Sequence, residues 1–260
     1  MTVLEERPSA PSRLALVAGG FFFRYRDAVF PAVFLVLAFA TPPGLRFGSR
    51  GWDRALDAAG IALALAGEVL RILVIGLAYI RRGGLDRRVH ADALVTAGVF
   101  GHSRNPLYLG NLLGVFGFLL IHDSLVAYLV GVPFFTLTYL SIVIAEEDFL
   151  RCRFGQEYAA YCRVVPRFWL RLRGLGTTLR GMRFNWRRVA SKEYGTAFAG
   201  ASLVLILLVW DDFRRWGAAG AAPTLRVAAV VWAPVVVAYL LVRILKKTGR
   251  LVSPARESVD

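Results

Sequence analysis

The sequence predicts an all-α protein of the membrane: a polytopic helix bundle of about six transmembrane helices preceded by an N-terminal interfacial helix. Three observations predict it. Hydrophobic residues fill 57% of the 260 positions and the mean hydropathy is +0.53, above the roughly 45–50% apolar share of a soluble domain. Charged residues are only 19%, which excludes an intrinsically disordered chain. The apolar residues also come in blocks separated by arginine-rich stretches, a segregation that a soluble core does not need.

The elements follow in order. Leu14–Phe23 is apolar but too short to span and is flanked by Arg13, Arg24 and Arg26. No small-residue cleavage pattern follows it, so a helix lying on the membrane fits better than a signal peptide, and the N-terminus is expected to be retained. A spanning helix needs about 20 mostly apolar residues. Six blocks approach this: about Ala28–Thr41, stopped by Pro42-Pro43; about Ala55–Ile80, with Glu68 and Arg71 near its middle; Pro106 to about Ile121; about Ser124–Ala145; about Thr196–Trp210; and about Leu225–Leu245. Pro106 suits a helix first turn. The expected organisation is an N-terminal segment 1–27, a membrane core 28–168, a basic connector 169–195 and a C-terminal helix pair with a basic tail, 196–260.

The positive charge reports orientation. Segments 1–27, 81–105, 146–195 and 243–260 carry 25 of the 32 Lys and Arg, against 5 in segments 42–54, 122–123 and 211–224. By the positive-inside rule both termini and the two long connections face the cytoplasm, which places the chain in the inner cell membrane. The net charge of +14 is then topology signal plus attraction to anionic membrane lipids. Nucleic acid is not an expected partner, because the arginines track helix ends instead of forming a basic domain. Cys152 and Cys162 lack a CxxC pattern and His90, His102 and His122 are scattered, so no metal site is expected, and both thiols should be reduced in a cytoplasmic setting.

Only His122-Asp123 separates the third and fourth blocks, with Ser124 as the expected N-cap. They must form a tight antiparallel hairpin whose other ends bring 98–110 and 146–168 side by side. In the first stretch Gly98 and Gly101 allow a turn close to a ligand. Arg104 and Asn105 precede a helix start, where free amide hydrogens attract acceptors. Tyr108 lies in the first turn. An anchor in the interfacial aromatic belt is the competing reading of Arg104 and Tyr108. In the second stretch Glu146, Glu147 and Asp148 stand at the expected end of the fourth helix, against its dipole. A bound cation or ligand hydroxyls would offset that cost; a Glu147–Arg151 pair on a solvated helix is the alternative.

The order Gly98-Val-Phe100-x-x-x-Arg104-Asn105-Pro106-Leu107-Tyr108-Leu-Gly110, apolar hairpin, Glu146-Glu147, then Phe154-Gly155-x-x-Tyr158-x-x-Tyr161 and Pro166 resembles the isoprenylcysteine carboxyl methyltransferase family, whose wider group includes phospholipid methyltransferases. The resemblance covers about Asp92 to Phe168. It implies a membrane enzyme with a cytoplasm-facing S-adenosylmethionine site and a lipophilic methyl acceptor. By position the cofactor contacts fall on Asp92, Ala93, Leu94, Val95, Phe100, Asn105, Pro106, Leu107, Tyr108 and Glu146. Adenine would lie among Leu94, Val95 and Phe100, and the ribose or amino group would lie near Glu146. The sulfonium would lie near Tyr108. The chain departs from the family pattern at Asn105, where the family has His, around Gly101-His102, where it has an aromatic, and at Ile142, where prenylcysteine enzymes carry an Arg for the substrate carboxylate. Arg71, Arg104 or Arg163 are the candidate replacements.

Glu68 and Arg71 are one turn apart and are expected to pair; as intramembrane charges they are also candidate substrate contacts. Gly110, Gly114 and Gly117 predict close helix packing. Trp169, Phe184 and Trp186 among the arginines of the connector read as an interfacial segment. Two other readings stand beside the methyltransferase: parts of both stretches also resemble the C-terminal region of NADPH-dependent sterol reductases, and a non-catalytic scaffold of the same fold would tolerate Asn105 and Ile142.

Overall fold

The computed structural model describes residues 13–44, 50–77, 82–85, 88–91 and 93–251. It contains the helices α1 (Arg13–Ala40), α2 (Arg50–Leu77), α3 (Pro106–His122), α4 (Leu125–Val164), α5 (Leu175–Arg180) and α6 (Trp186–Lys247). One short antiparallel hairpin, β1 (Arg82–Leu85) with β2 (Arg88–Ala91), stands between α2 and α3 in register Arg82↔Ala91 to Leu85↔Arg88. Residues from Gly51 in α2, all of α4 and all of α6 are long and apolar enough to cross a membrane, and α3 is a shorter apolar helix. The protein is an integral membrane protein built from helices.

The N-terminal segment and the first predicted span form one helix. The run Arg24-Tyr-Arg26-Asp27 carries charge but no strong helix breaker, so α1 continues through it and through Pro31 to end before Thr41-Pro42. The residue before a proline is biased away from helical ψ, which stops it there. α1 lies along α4: Gly19 abuts the Ser141 backbone, and the Phe30 ring meets Phe135 and Tyr139 edge-on at 5.6 and 5.0 Å.

α2 packs chiefly on α3 along a seam of glycines. A Cβ at Gly60 would come within 2.6 Å of the Gly117 carbonyl oxygen, and one at Gly110 within 2.8 Å of the Gly67 oxygen. The pairs Gly60/Gly117 and Gly67/Gly110 lie two helical turns apart on each helix, so two antiparallel backbones can touch without side chains between them. The Gly114 backbone lies in the same seam, its nitrogen 2.9 Å from where a Gly67 Cβ would stand, but a Cβ on Gly114 itself would meet nothing.

The α3–α4 connection is as short as the sequence requires. Asp123 takes the left-handed conformation (φ 43°, ψ 43°) and its N–H bonds to the Leu119 carbonyl. Ser124 occupies the N-cap position, but its hydroxyl makes no cap bond. The main departure is downstream. α4 does not end near Ala145; it passes through Glu146–Asp148 and continues past a break at Gly155 (φ 51°, ψ −120°) to Val164. The acidic run is therefore not at a helix terminus, and the expected conflict with the dipole does not arise.

α6 begins at Trp186, inside the predicted basic connector, and is broken at Gly217 (φ 68°). Its two arms run antiparallel: Trp232 Nε1 donates to Ser202 Oγ at 2.9 Å, Tyr194 stacks on Tyr239, and Lys246 Nζ donates to the Ser191 carbonyl. These arms are the fifth and sixth predicted blocks. At the Gly217 end a polar clamp joins the end of α1 with α2, α3 and α6: His122 bonds Asp211 Oδ1 through Nδ1 and Thr41 Oγ1 through Nε2, both at 2.9 Å, and Arg215 pairs with Asp53 at 2.5 Å. The apolar core between these ends holds Phe34, Leu37, Leu119, Ile121, Phe135 and Leu207.

Overpacking a close backbone contact costs about 1–3 kcal/mol. Gly117→Ala should therefore lower the apparent melting temperature of detergent-purified protein by several degrees, while Gly114→Ala leaves it unchanged. Equal melting of the two variants would contradict the seam.

Candidate active site at the open end of the α3–α4 hairpin

The stretch before α3 is laced to the stretch after the Gly155 break. A 3-10 turn over Gly98–Gly101 starts at Gly98 (φ 63°) and buries Val99 and Phe100. The Tyr161 hydroxyl donates to the Phe100 carbonyl at 2.7 Å, and the Arg104 N–H donates to the Pro166 carbonyl at 2.9 Å. His102 Nδ1 lies 2.6 Å from the Arg171 carbonyl, which can only accept, so this nitrogen carries the hydrogen; Nε2 meets Thr178 Oγ1 at 2.9 Å. Ser103 Oγ donates to the Phe168 carbonyl.

The centre of this lacing is Glu147, whose side chain is 4% exposed. It pairs with Arg104 Nη1 at 3.2 Å and with Arg167 Nη2 at 2.8 Å, and accepts from Asn105 Nδ2 at 3.4 Å. It does not pair with Arg151, as i,i+4 spacing suggested. Asn105 Nδ2 also donates to the Arg167 carbonyl at 3.1 Å. Arg104 further donates to Cys162 Sγ at 2.7 Å. Burial works against the Arg104 charge, yet Glu147 and its other neighbours hold the guanidinium above its ordinary value.

One position earlier on α4, Glu146 accepts from the Tyr108 hydroxyl at 2.6 Å, and that phenol oxygen accepts from Arg26 Nη1 of α1 at 3.1 Å. Tyr108 is buried against Phe23, Tyr139, Ile142 and Val143, with its ring centroid 5.7 Å from that of Tyr139. Ile142 is thus part of an apolar wall, and the cation beside that wall comes from α1.

The other residues singled out in the sequence distribute as follows. Ala91, at the end of β2, packs with Leu150, Tyr158, Tyr161 and Val165, and Leu94 joins that cluster. Val95 and Leu107 pack instead with Val74, Val99 and Phe100. Ala93, Leu94, Val95, Leu107 and Glu146 keep open surface, whereas Phe100, Asn105, Pro106 and Tyr108 are buried. Asp92 lies outside the described residues.

Arg71 does not pair with Glu68. Its Nε reaches Glu193 of α6 at 2.6 Å and its Nη1 bonds Asn111. Gly110 makes room for it, since a Cβ there would stand 2.7 Å from Arg71 Cγ. Glu68 Oε1 is left buried without a hydrogen-bond partner. The predicted connector is docked on the same side: the Phe184 ring lies on Gly76, and the Asn185 N–H bonds the Gly76 carbonyl at 2.8 Å.

Sequence reasoning missed Arg26, Arg167 and Glu193. Arg26 reads as one of several basic residues at a membrane edge, and Arg167 as one of eleven in its segment; only the fold shows which carboxylate each one meets. The Glu147 role had a signal in the sequence, since the double Glu is quoted there, but the choice between its two carboxylates had none.

A family model described as Phospholipid methyltransferase matches residues 58–157, from the glycine seam of α2 to the tyrosine arm beyond Gly155. The chain belongs to this family, a class of membrane methyltransferases. It is similar to the cobalt-zinc-cadmium resistance protein CzcN of Cupriavidus metallidurans, at 31% identity over 217 residues, covering 79% of this chain and 91% of that protein. No solved structure matches the chain.

Glu147→Gln would remove the carboxylate that pairs with both Arg104, 11% exposed, and Arg167. Breaking one side of a buried pair costs about 3 kcal/mol, so the variant should melt well below wild type, while Asp148→Asn, which loses no ion pair among the described residues, should melt like wild type. A normal melting curve for Glu147→Gln would remove Glu147 from the centre of the site.

Proposed function

We propose that the protein is an S-adenosylmethionine-dependent methyltransferase of the membrane. It acts at the cytoplasmic face on a lipophilic acceptor bearing a carboxylate or amine head group. The observation that carries this reading is the Tyr108–Glu146 bond, which sets an aromatic ring and a half-open carboxylate side by side at the edge of the apolar bundle.

The residues suit such a cofactor. Leu94, Val95 and Leu107 offer half-open apolar surface for a purine ring, and Glu146 offers acceptor oxygens for hydroxyl or amino hydrogens. The Tyr108 ring favours a neighbouring cation through its quadrupole. Phe100 and Asn105, both buried, brace the wall from behind. Bound there, S-adenosylmethionine would supply an electrophilic methyl group for an acceptor oxygen or nitrogen, with the neutral thioether of the demethylated product as leaving group. The protein's own contribution is orientation and a water-poor setting, given by Phe23, Tyr139, Ile142 and Val143. The positive-inside count supports a cofactor arriving from the cytoplasm and an acceptor arriving from the bilayer.

Titration of purified protein with S-adenosylmethionine or its demethylated product tests the reading. Wild type and Glu157→Ala, whose side chain is exposed, should bind alike. Glu146→Ala and Tyr108→Ala should each lose about tenfold or more in affinity, the worth of one charge-assisted hydrogen bond. Equal binding by all four proteins would remove the site assignment. Binding of NADPH without binding of S-adenosylmethionine would favour the reductase reading instead.

A further inference from the structure

Arg26 is a cation with most of its donors unspent in an apolar wall. Its side chain is 33% exposed, and among the described residues its only hydrogen bond is Nη1 to the Tyr108 hydroxyl. The guanidinium carbon lies 4.7 Å above the Phe23 ring. The one nearby carboxylate in direct reach, Asp27, stands 3.8 Å from Nε and is 96% exposed, so solvent screens most of its attraction. Glu146 is reached only through the phenol. The Phe23 ring beneath it belongs to a buried cluster with Tyr108, Tyr139, Ile142 and Val143, none of them charged.

Covering two-thirds of an arginine with apolar groups costs free energy unless an anion faces it. The Nε–Nη2 edge is the one that matches carboxylate or phosphate with two parallel bonds. We infer that Arg26 anchors an oxyanion, carboxylate or phosphate, carried by the lipophilic acceptor of this site, and so determines which acceptors are taken. The inference rests on the methyltransferase reading for the word acceptor, but the binding of an oxyanion amphiphile does not.

The geometry orders the site along one line. Arg26 from α1, Tyr108 from α3 and Glu146 from α4 are linked in series. An acceptor held by Arg26 would enter on the bilayer side of Tyr108, against Phe23 and Tyr139, opposite the cytoplasmic stretches. The α1 helix, whose continuity through residues 24–27 the sequence does not predict, is what carries the cation to this place.

The test uses the full chain in phosphatidylcholine nanodiscs, titrated with oleoyl phosphate, with oleic acid and with oleyl alcohol as a head group of no charge. Wild type should bind one or both oxyanion probes at least about tenfold more tightly than the alcohol. Arg26→Gln should lose that preference, and Arg26→Lys should keep part of it. Tyr108→Phe, which leaves the guanidinium in place, should retain it. The tighter of the two oxyanion probes tells phosphate from carboxylate. If wild type shows no preference for either oxyanion, the proposal is wrong. It is equally wrong if Tyr108→Phe loses as much as Arg26→Gln, because Arg26 would then only hold the phenol. Binding of the demethylated cofactor product by wild type, measured beside these titrations, reads the methyltransferase assignment separately.

Discussion

A carboxylate taken out of water must meet a cation and hydrogen-bond donors, and Glu147 meets Arg104, Arg167 and Asn105. This requirement organises the open end of the α3–α4 hairpin. Arg104 and Asn105 sit just before α3, Glu147 lies in the middle of α4, and Arg167 follows α4. Satisfying one charge therefore closes the chain around itself and fixes the N-terminal end of α3. Tyr108 is then presented to Glu146 one position earlier on α4. If the buried charge were satisfied from elsewhere, the neighbouring carboxylate would have no phenol to accept from.

The glycine seam is the second constraint, and it works through shape rather than charge. Bringing α2 and α3 into backbone contact places Arg71 directly over Gly110, and from there it reaches both Asn111 and Glu193. A long side chain crosses the seam only where the facing helix has no Cβ. The glycine of the Tyr108-Leu-Gly110 element thus serves the ion pair rather than a ligand's approach. In turn the ion pair holds the start of α6 to α2, with Phe184 seated on Gly76 as a second fastening.

Much of this was legible beforehand. The α3–α4 hairpin and the meeting of 98–110 with 146–168 follow from hydropathy, a two-residue link and residue order, whereas the bond between Tyr108 and Glu146 came only with the fold. The two arms of α6 were legible as separate apolar blocks. Illegible were the continuity of α1, because a cluster of charges looks like an interface whether or not the helix stops there, and the extension of α4 beyond Ala145, because a polar helix has no hydropathy signal. The β1–β2 hairpin is too short and too glycine-rich to announce itself. The Glu68–Arg71 pairing was a reasonable local inference that failed because a better partner, Glu193, arrives from far along the chain.

The sequence by itself determined which stretches are apolar, how long they are and how little chain joins them, because desolvation and chain connectivity act on local composition. It also placed the charged residues at the ends of those stretches. Tertiary structure alone decided which charge meets which: Glu147 with Arg104 and Arg167, Arg71 with Glu193, Arg26 with Tyr108. The physical reason is that ion pairing is set by proximity in three dimensions, and in a chain with 32 basic residues for 18 acidic ones sequence offers every carboxylate many equivalent cations. Only the packing of glycine seams and helix crossings removes that degeneracy.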